Sequence, residues 1–256
     1  MPGRLKGKVA IVTGAGSRGP GLGNGKAAAI LFAREGAQVL CVDHVIERAE
    51  ETCSMILSEG GEASPLQADV SRTADCGRMV ATAVERYGRL DILHNNVGVE
   101  SRKGVLETTE EEWDRVMAVD LKSMLLTAQA AIPRLTEAGG GAMINVSSVA
   151  GLRAHGRTAY AAAKAGVIGL TISLAGQLAT HRIRVNAIAP GMVYTPMVAE
   201  GMPPELRERR RLAALIQDEG TAWDVGWAAV YLASDEARWV TGQVLVVDGG
   251  LTVTTR

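Results

Sequence analysis

The stretch VAIVTGAGSRGPGLGNG, residues 9–25, indicates the fold of this chain. It starts with four apolar residues typical of a buried strand, continues with six glycines within residues 14–25, and leads into a helical pattern ending at Arg34. Glycines at a strand-to-helix turn let the backbone approach a pyrophosphate, whose charge is favoured at the helix N-terminus. We therefore predict a nucleotide site whose contacts include Gly14, Gly23, Asn24 and Gly25.

Apolar runs and helical patterns alternate along the rest of the chain. We predict further strands near residues 39–42, 63–67, 90–93, 143–146, 185–189 and 244–247, and helices at 45–57, 72–87, 110–135 and 224–233 and over the stretch that contains Tyr160 and Lys164. Continuous apolar strands that alternate with helices are typical of a parallel sheet covered on both faces. The sequence predicts an α/β, Rossmann-type doubly wound fold with seven parallel strands, forming one domain over residues 1–256.

Composition narrows the class of protein. The chain has 256 residues, 47% of them hydrophobic and 21% charged, and a formal net charge of −1. Near-zero net charge argues against nucleic acid or an anionic membrane as the main partner. The three cysteines (Cys41, Cys53 and Cys76) are odd in number and lack CxxC spacing, which favours reduced thiols in the cytoplasm. We also expect no signal peptide, no membrane span and no metal site.

Asp43 follows the second predicted strand, eighteen residues after Gly25. An acidic residue there can accept hydrogen bonds from a ribose diol and repels a 2′-phosphate, which favours NAD over NADP. Capping of the helix that starts near Val45 is an alternative role. Arg18 and Arg48 are alternative partners for a 2′-phosphate, so NADP is not excluded.

Other small or polar residues follow the third and fourth predicted strands, where this class of fold binds ligands. Each one alone is more typical of a turn or a cap. Together they form the next group of predicted cofactor contacts: Asp69, Val70, Asn95, Val97 and Gly98.

Tyr160 and Lys164 are four residues apart in an alanine-rich helical pattern. On a helix this spacing places both side chains on one face. A lysine ammonium near a phenol stabilises the phenolate, and such a phenol can exchange a proton with a substrate oxygen near neutral pH. Ser148 follows a short apolar segment and offers a hydroxyl to the same oxygen. The alternative is a packing helix with an incidental Tyr/Lys pair.

Taken together, these motifs identify a resemblance to the short-chain dehydrogenase/reductase family that runs along the whole chain. Its marks are the glycine loop, Asp69-Val70, the Asn95–Gly98 stretch, Ser148, Tyr160 with Lys164, and the segments 186–191, 195–197, 241–243 and 248–250. The resemblance implies that Ser148 polarises the substrate oxygen, that Tyr160 is the general acid/base, and that Lys164 favours its phenolate and binds the nicotinamide ribose. It adds Pro190, Gly191, Val193 and Thr195 as cofactor contacts.

The same resemblance implies an activity and an organisation. The activity is reversible hydride transfer between a nicotinamide cofactor, with NAD preferred, and a secondary alcohol or ketone. An NADPH-dependent reductase of 3-oxoacyl thioesters on acyl carrier protein, and a non-catalytic nucleotide sensor, are the alternatives. The nucleotide-binding part would span about residues 8–100, the catalytic part 101–190 and a substrate lid 195–220. A homo-oligomer, dimer or tetramer, is also implied.

Two features depart from the family pattern. Gly14 and Gly23 are about five residues farther apart than the family's glycine loop has them, and the insert contains Arg18 and Pro20. Asp120 stands where the family usually has an asparagine that helps to hold a water near the active-site lysine. Its charge would favour the Lys164 ammonium but oppose the Tyr160 phenolate, which predicts an altered pH optimum. A position on the surface of a shifted helix is the alternative for Asp120.

Overall fold

The computed structural model describes residues 3–199 and 201–254. In these residues seven strands form one parallel sheet, in the order β3-β2-β1-β4-β5-β6-β7. The strands are β1 Val9–Thr13, β2 Gln38–Asp43, β3 Glu62–Gln67, β4 Ile92–Asn95, β5 Gly141–Val146, β6 Ile183–Pro190 and β7 Val244–Val247. The predicted doubly wound fold is confirmed. The direction of strand order reverses between β1 and β4, which places a ligand crevice at their carboxyl ends.

Helices cover both faces of the sheet. They are α1 Asn24–Arg34, α2 Ile46–Ser58, α3 Thr73–Tyr87, α4 Glu110–Met117, α5 Ser123–Glu137, α6 Thr158–Leu178, α7 Pro196–Ala199, α8 Pro204–Arg211 and α9 Ala222–Ala233. The predicted single helix over 110–135 is two helices joined by a π-helical turn, Ala118–Lys122. Turns of this kind are frequent at functional sites.

The core consists of two layers separated by the sheet. Alternate residues of β1 face opposite layers, as the period of a strand requires. Ala10 and Val12 pack in the cluster that contains α1 and α9, whereas Ile11 packs in the cluster of α3, α5 and α6. β1 is therefore apolar on both faces, and polar side chains follow at its carboxyl end.

One helical stretch, Thr158–His181, has a length and a mean hydropathy (1.3) that would suit a membrane span, which sequence analysis did not recognise. Core helices meet the same criteria, so the finding is weak evidence. The inner side of this stretch packs on the sheet, with Val167, Leu174 and Leu178 buried.

Candidate functional site

A cleft of about 880 Å³ opens at the carboxyl edge of the sheet. Loops that follow six of the seven strands line it, as expected where strand order reverses. The sequence-predicted residues that line it are Gly14, Gly23, Asn24, Gly25, Asp43, Asp69, Val70, Val97, Gly98, Ser148, Tyr160, Lys164, Pro190, Gly191, Val193 and Thr195.

The start of α1 lies unusually close to the end of β1. A Cβ atom built on Gly25 would lie 2.1 Å from the carbonyl oxygen of Gly14 and 2.4 Å from Nδ2 of Asn96. Gly14 has a φ of +63°, in the left-handed region that glycine adopts without strain. Because no side chain intervenes, the N–H groups at the start of α1 stay open to an anion. This cradle fits a phosphate group.

Asp43 is buried at the end of β2, and backbone donors hold both of its oxygens. Oδ2 accepts from Gly16 N at 3.1 Å, and Oδ1 accepts from Val45 N at 3.1 Å. The helix itself begins at Ile46 after Val45, without a side-chain cap, so Asp43 stabilises the turn that precedes the helix. A carboxylate has about four lone-pair sites, and these two bonds leave acceptor capacity for a ligand.

The catalytic candidates meet at the other end of the cleft. Lys164 Nζ lies 5.6 Å from the centroid of the Tyr160 ring and donates to Val146 O at 3.2 Å. Ser147 Oγ donates to Lys164 O at 2.7 Å, and Ser148 Oγ accepts from Ala150 N at 3.1 Å. The two bonds that involve Lys164 fix the end of β5 against α6. The predicted pairing of the phenol with the ammonium in one cleft is thus present in the geometry.

Asp120 lies in the π-helical turn and is fully buried, so the alternative of a surface position is wrong. Its Oδ1 accepts from Val99 N at 2.7 Å, and its Oδ2 lies 3.3 Å from Lys164 Nζ. Burial lowers the pKa of Lys164, but the Asp120 carboxylate and Tyr160 raise it by more, so the net direction is upward. Lys164 therefore stays an ammonium inside the protein.

Two predicted site residues do not line the cleft, and the structure corrects their placement. Asp120 is buried beneath the cleft surface, where its carboxylate pairs with the Lys164 ammonium. Asn95 Nδ2 donates to Asn145 Oδ1 at 3.0 Å, and Thr127 Oγ1 donates to Asn95 Oδ1 at 2.8 Å. Asn95 therefore braces β4 against β5 and α5, and its side chain is already used in that role.

Several lining residues were not predicted as site residues. Ser147 and Asn96 adjoin predicted positions, whereas Gly16 and Ser17 belong to the insert, whose length marked it as unusual without showing its direction. Arg18 and Arg48, the alternative partners for a 2′-phosphate, also line the cleft. The remaining ones are Val42, His44, Ala68, Ser71, Val99, Val119, Val146, Pro196, Met197 and Val198.

The segment predicted as a lid leaves the body after Tyr194 and returns at Gly220. Tyr194 N donates to Gly220 O at 2.9 Å, which closes the base of this excursion. Arg207 lies 3.8 Å above the Tyr194 ring and pairs with Glu219, so a cation–π contact and an ion pair hold α8 over its base. Across residues 3–199 and 201–254, no group of three potential metal ligands occurs.

Comparison with known proteins agrees with this geometry. The sequence model of a family described as enoyl-(acyl carrier protein) reductase matches residues 21–252. A 3-oxoacyl-[acyl-carrier-protein] reductase of Thermotoga maritima is 39% identical over 98% of this chain and 100% of its own length. A 2-(R)-hydroxypropyl-CoM dehydrogenase of Xanthobacter autotrophicus is 40% identical over 96% of this chain and 98% of its own. The crystal structure of a short-chain dehydrogenase/reductase from Burkholderia xenovorans superimposes with a TM-score of 0.94 at 41% identity, covering 99% and 100% of the two chains.

Proposed function

Since this chain belongs to the short-chain dehydrogenase/reductase family, whose members are oxidoreductases that use NAD or NADP, we propose that it interconverts a secondary alcohol and its ketone, with NAD as the preferred cofactor. The observation that carries the proposal is the Tyr160 phenol beside a buried Lys164 that Asp120 keeps charged. A phenol placed beside an ammonium can accept a proton as its phenolate and return it.

The residues take the following roles. Tyr160 removes the hydroxyl proton during oxidation and returns it during reduction. Ser148 donates a hydrogen bond to the substrate oxygen, which holds the carbinol carbon at the phenol. Lys164 stabilises the phenolate electrostatically, and its bond to Val146 O fixes the ammonium in place. The nicotinamide, when bound, supplies the hydride acceptor or donor.

The cleft fits such a cofactor at its other end as well. The glycine cradle suits the pyrophosphate, and the buried Asp43 suits an adenosine ribose diol. A 2′-phosphate would meet the Asp43 carboxylate, which favours NAD. Arg48 lies beside this position, since a Cβ on Gly16 would lie 2.4 Å from Arg48 Cβ and 2.9 Å from Asp43 Oδ2. We propose that the repulsion between Asp43 and a 2′-phosphate is stronger than the attraction between Arg48 and that phosphate.

Cofactor preference tests the role of Asp43. In Asp43→Ser, which removes the charge, we expect the ratio of kcat/KM for NAD over NADP to fall by about tenfold or more, the equivalent of about 1.4 kcal/mol. Arg48→Ala is the matched variant and should raise that ratio. An unchanged ratio in Asp43→Ser would contradict the proposal that Asp43 sets cofactor choice.

The activity itself is tested by nicotinamide reduction over a panel of cyclic, aromatic and aliphatic secondary alcohols, with NAD and NADP in parallel. We expect turnover with NAD, and a loss of at least about 10³-fold in Tyr160→Phe with the Kd for NADH unchanged, because only the proton-transfer group is removed. Tight NADH binding without turnover on any alcohol would favour the sensor alternative.

A second candidate is an NADPH-dependent reductase of 3-oxoacyl thioesters. It is favoured by one relative that is a 3-oxoacyl-[acyl-carrier-protein] reductase and by the description of the matching family. Reduction of an acetoacetyl thioester with NADPH, faster than any alcohol oxidation with NAD, would select it.

We also propose a homo-oligomer in the cytoplasm. The outer side of α6 and the region of α9 and β7 carry exposed apolar side chains, with Ile172 exposed to 55% and Trp239 to 91%.

All three cysteines are buried and free, as in a reducing compartment. Light scattering of the purified protein in the absence of detergent tests the assembly. A monomer, or a requirement for lipid vesicles, would contradict it.

A further inference from the structure

The insert in the glycine loop crosses the cleft. We call residues 16–22 the strap. Its base is closed by a hydrogen bond, because Ser17 Oγ accepts from Gly23 N at 2.8 Å. From this base Arg18 reaches away from β1, and its Nη2 donates to the carbonyl oxygen of Gly98 at 3.1 Å. The strap therefore joins the loop after β1 to the loop after β4, on the far side of the crevice.

Gly98 lies next to the catalytic groups. A Cβ atom built on it would lie 3.2 Å from Lys164 Nζ and 3.2 Å from Asp120 Oδ2. Asp43, by contrast, lies at the end of β2, on the other side of β1. A dinucleotide with its adenosine ribose at Asp43 and its nicotinamide at Tyr160 must carry its pyrophosphate between them. Arg18 spans that interval.

The strap also contacts the lid. A Cβ built on Gly21 would lie 3.3 Å from Pro196 Cγ, and Gly21 has a φ of +114°, which side-chain-bearing residues rarely adopt. A Cβ on Gly19 would lie 4.0 Å from Pro196 Cβ. The glycines of the strap therefore let its backbone lie against the first residue of α7.

We propose that Arg18 is a pyrophosphate-binding residue. This inference rests on the proposed nicotinamide cofactor. A guanidinium has five N–H donors, and the bond to Gly98 uses one of them. That bond has a neutral acceptor, whereas a phosphate oxygen would place a negative charge opposite the guanidinium and could accept two of its N–H groups. Contact with the pyrophosphate would therefore give the Arg18 guanidinium stronger hydrogen bonds than its bond to Gly98.

The position of Arg18 does not suit contact with a 2′-phosphate. Arg48 is the arginine that lies beside Asp43, at the ribose position. Arg18 instead reaches Gly98, beside Lys164. Arg18 should therefore contribute equally to the affinity for NADH and for NADPH. It should contribute nothing to the affinity for a ligand that lacks the pyrophosphate.

Binding measurements on the intact protein test this assignment without turnover. Calorimetric Kd values are measured for NADH, NADPH, ADP-ribose and adenosine with wild type, Arg18→Ala and Arg238→Ala. Arg238 is an exposed arginine near the start of β7, at the opposite edge of the sheet, and controls for the lost charge. In Arg18→Ala we expect the Kd for NADH, NADPH and ADP-ribose to rise by the same factor, about tenfold or more, and the Kd for adenosine to stay unchanged.

Three results would overturn the assignment. They are an unchanged Kd for NADH in Arg18→Ala, a rise for NADPH alone, and an equal rise in Arg238→Ala. Failure of the wild-type protein to bind either NADH or ADP-ribose would instead overturn the proposed function, and the role of Arg18 with it. Arg18 is exposed, so its replacement should leave the thermal unfolding temperature unchanged and the comparison interpretable.

Discussion

Lys164 in the cleft and His94 in the interior of the sheet are both buried nitrogen bases, but they differ in charge. Lys164 is 3% exposed and His94 on β4 is 0% exposed. Burial disfavours the charged form of both side chains. Lys164 has Asp120 Oδ2 at 3.3 Å, and its pKa is raised. Burial lowers the pKa of His94 to about 4.

The surroundings of His94 explain the difference. Its ring contacts Phe32 edge to face, with centroids 5.8 Å apart. Within the described part of the chain, neither ring nitrogen has a hydrogen-bond partner. Burial alone thus leaves a group neutral, and a buried counter-charge reverses the result. The positive charge of Lys164 therefore depends on the Asp120 carboxylate.

The largest expected effect comes from breaking the buried pair. Lys164→Met should lower the free energy of unfolding by about 3 kcal/mol or more, because it leaves the Asp120 carboxylate buried without its cation. The double variant Lys164→Met/Asp120→Asn should recover most of this loss. Urea unfolding measures both. Equal stability of the single and double variants would show that the two side chains do not interact.

Protonation of His94 should make the free energy of unfolding depend on pH in the acid range. Its folded pKa of about 4 lies below the ordinary value of 6.5, so between these values the unfolded chain binds the proton. The stabilisation is complete above pH 6.5 and is lost as the pH falls toward 4, by about 3 kcal/mol at most.

A matched variant isolates this contribution. His94→Leu keeps an apolar side chain of similar size against Phe32 and cannot be protonated. Its free energy of unfolding, measured by urea titration from pH 7 to pH 4, should fall less steeply than that of wild type. Parallel curves would mean that His94 does not titrate in this range.

A smaller effect is expected from Asp120→Asn. The asparagine oxygen can keep the bond from Val99 N while the negative charge disappears. Because the Asp120 carboxylate raises the pKa of Lys164, its loss should let Lys164 release its proton at lower pH, so the alkaline limb of the pH profile of kcat/KM for alcohol oxidation should move to lower pH. The profile of Asp114→Asn, an exposed residue of α4, is the control. An unmoved limb in Asp120→Asn would contradict the role of the carboxylate.

The sheet was predictable because most of its strands are short apolar runs between helical patterns, although β3 is largely polar. The spacing of Tyr160 and Lys164 is likewise a local property of one helix. Asp120 was predicted near Lys164 only through the family resemblance. The π-helical turn that carries Asp120 into the interior was not predicted, since a 3.6-residue pattern continues through it almost unchanged.

The parts that sequence analysis missed depend on tertiary contacts. Asn95 reads as a turn residue after β4, but its partners Asn145 and Thr127 lie on other elements. The strap was recognised as an insert, yet glycine permits too many backbone paths for its direction to be deduced. Its contacts with Gly98 and Pro196 exist only in the folded chain.

The pH at which Lys164 loses its proton shows whether Asp120 keeps it charged. In protein labelled with 15N-lysine, the Nζ resonance of Lys164, assigned by its loss in Lys164→Arg, is followed as a function of pH in wild type and Asp120→Asn. We expect Lys164 to titrate above the ordinary value of 10.5 in wild type, and clearly below the wild-type value in Asp120→Asn. Identical titration in the two proteins, or a neutral amine in wild type at pH 8, would contradict it.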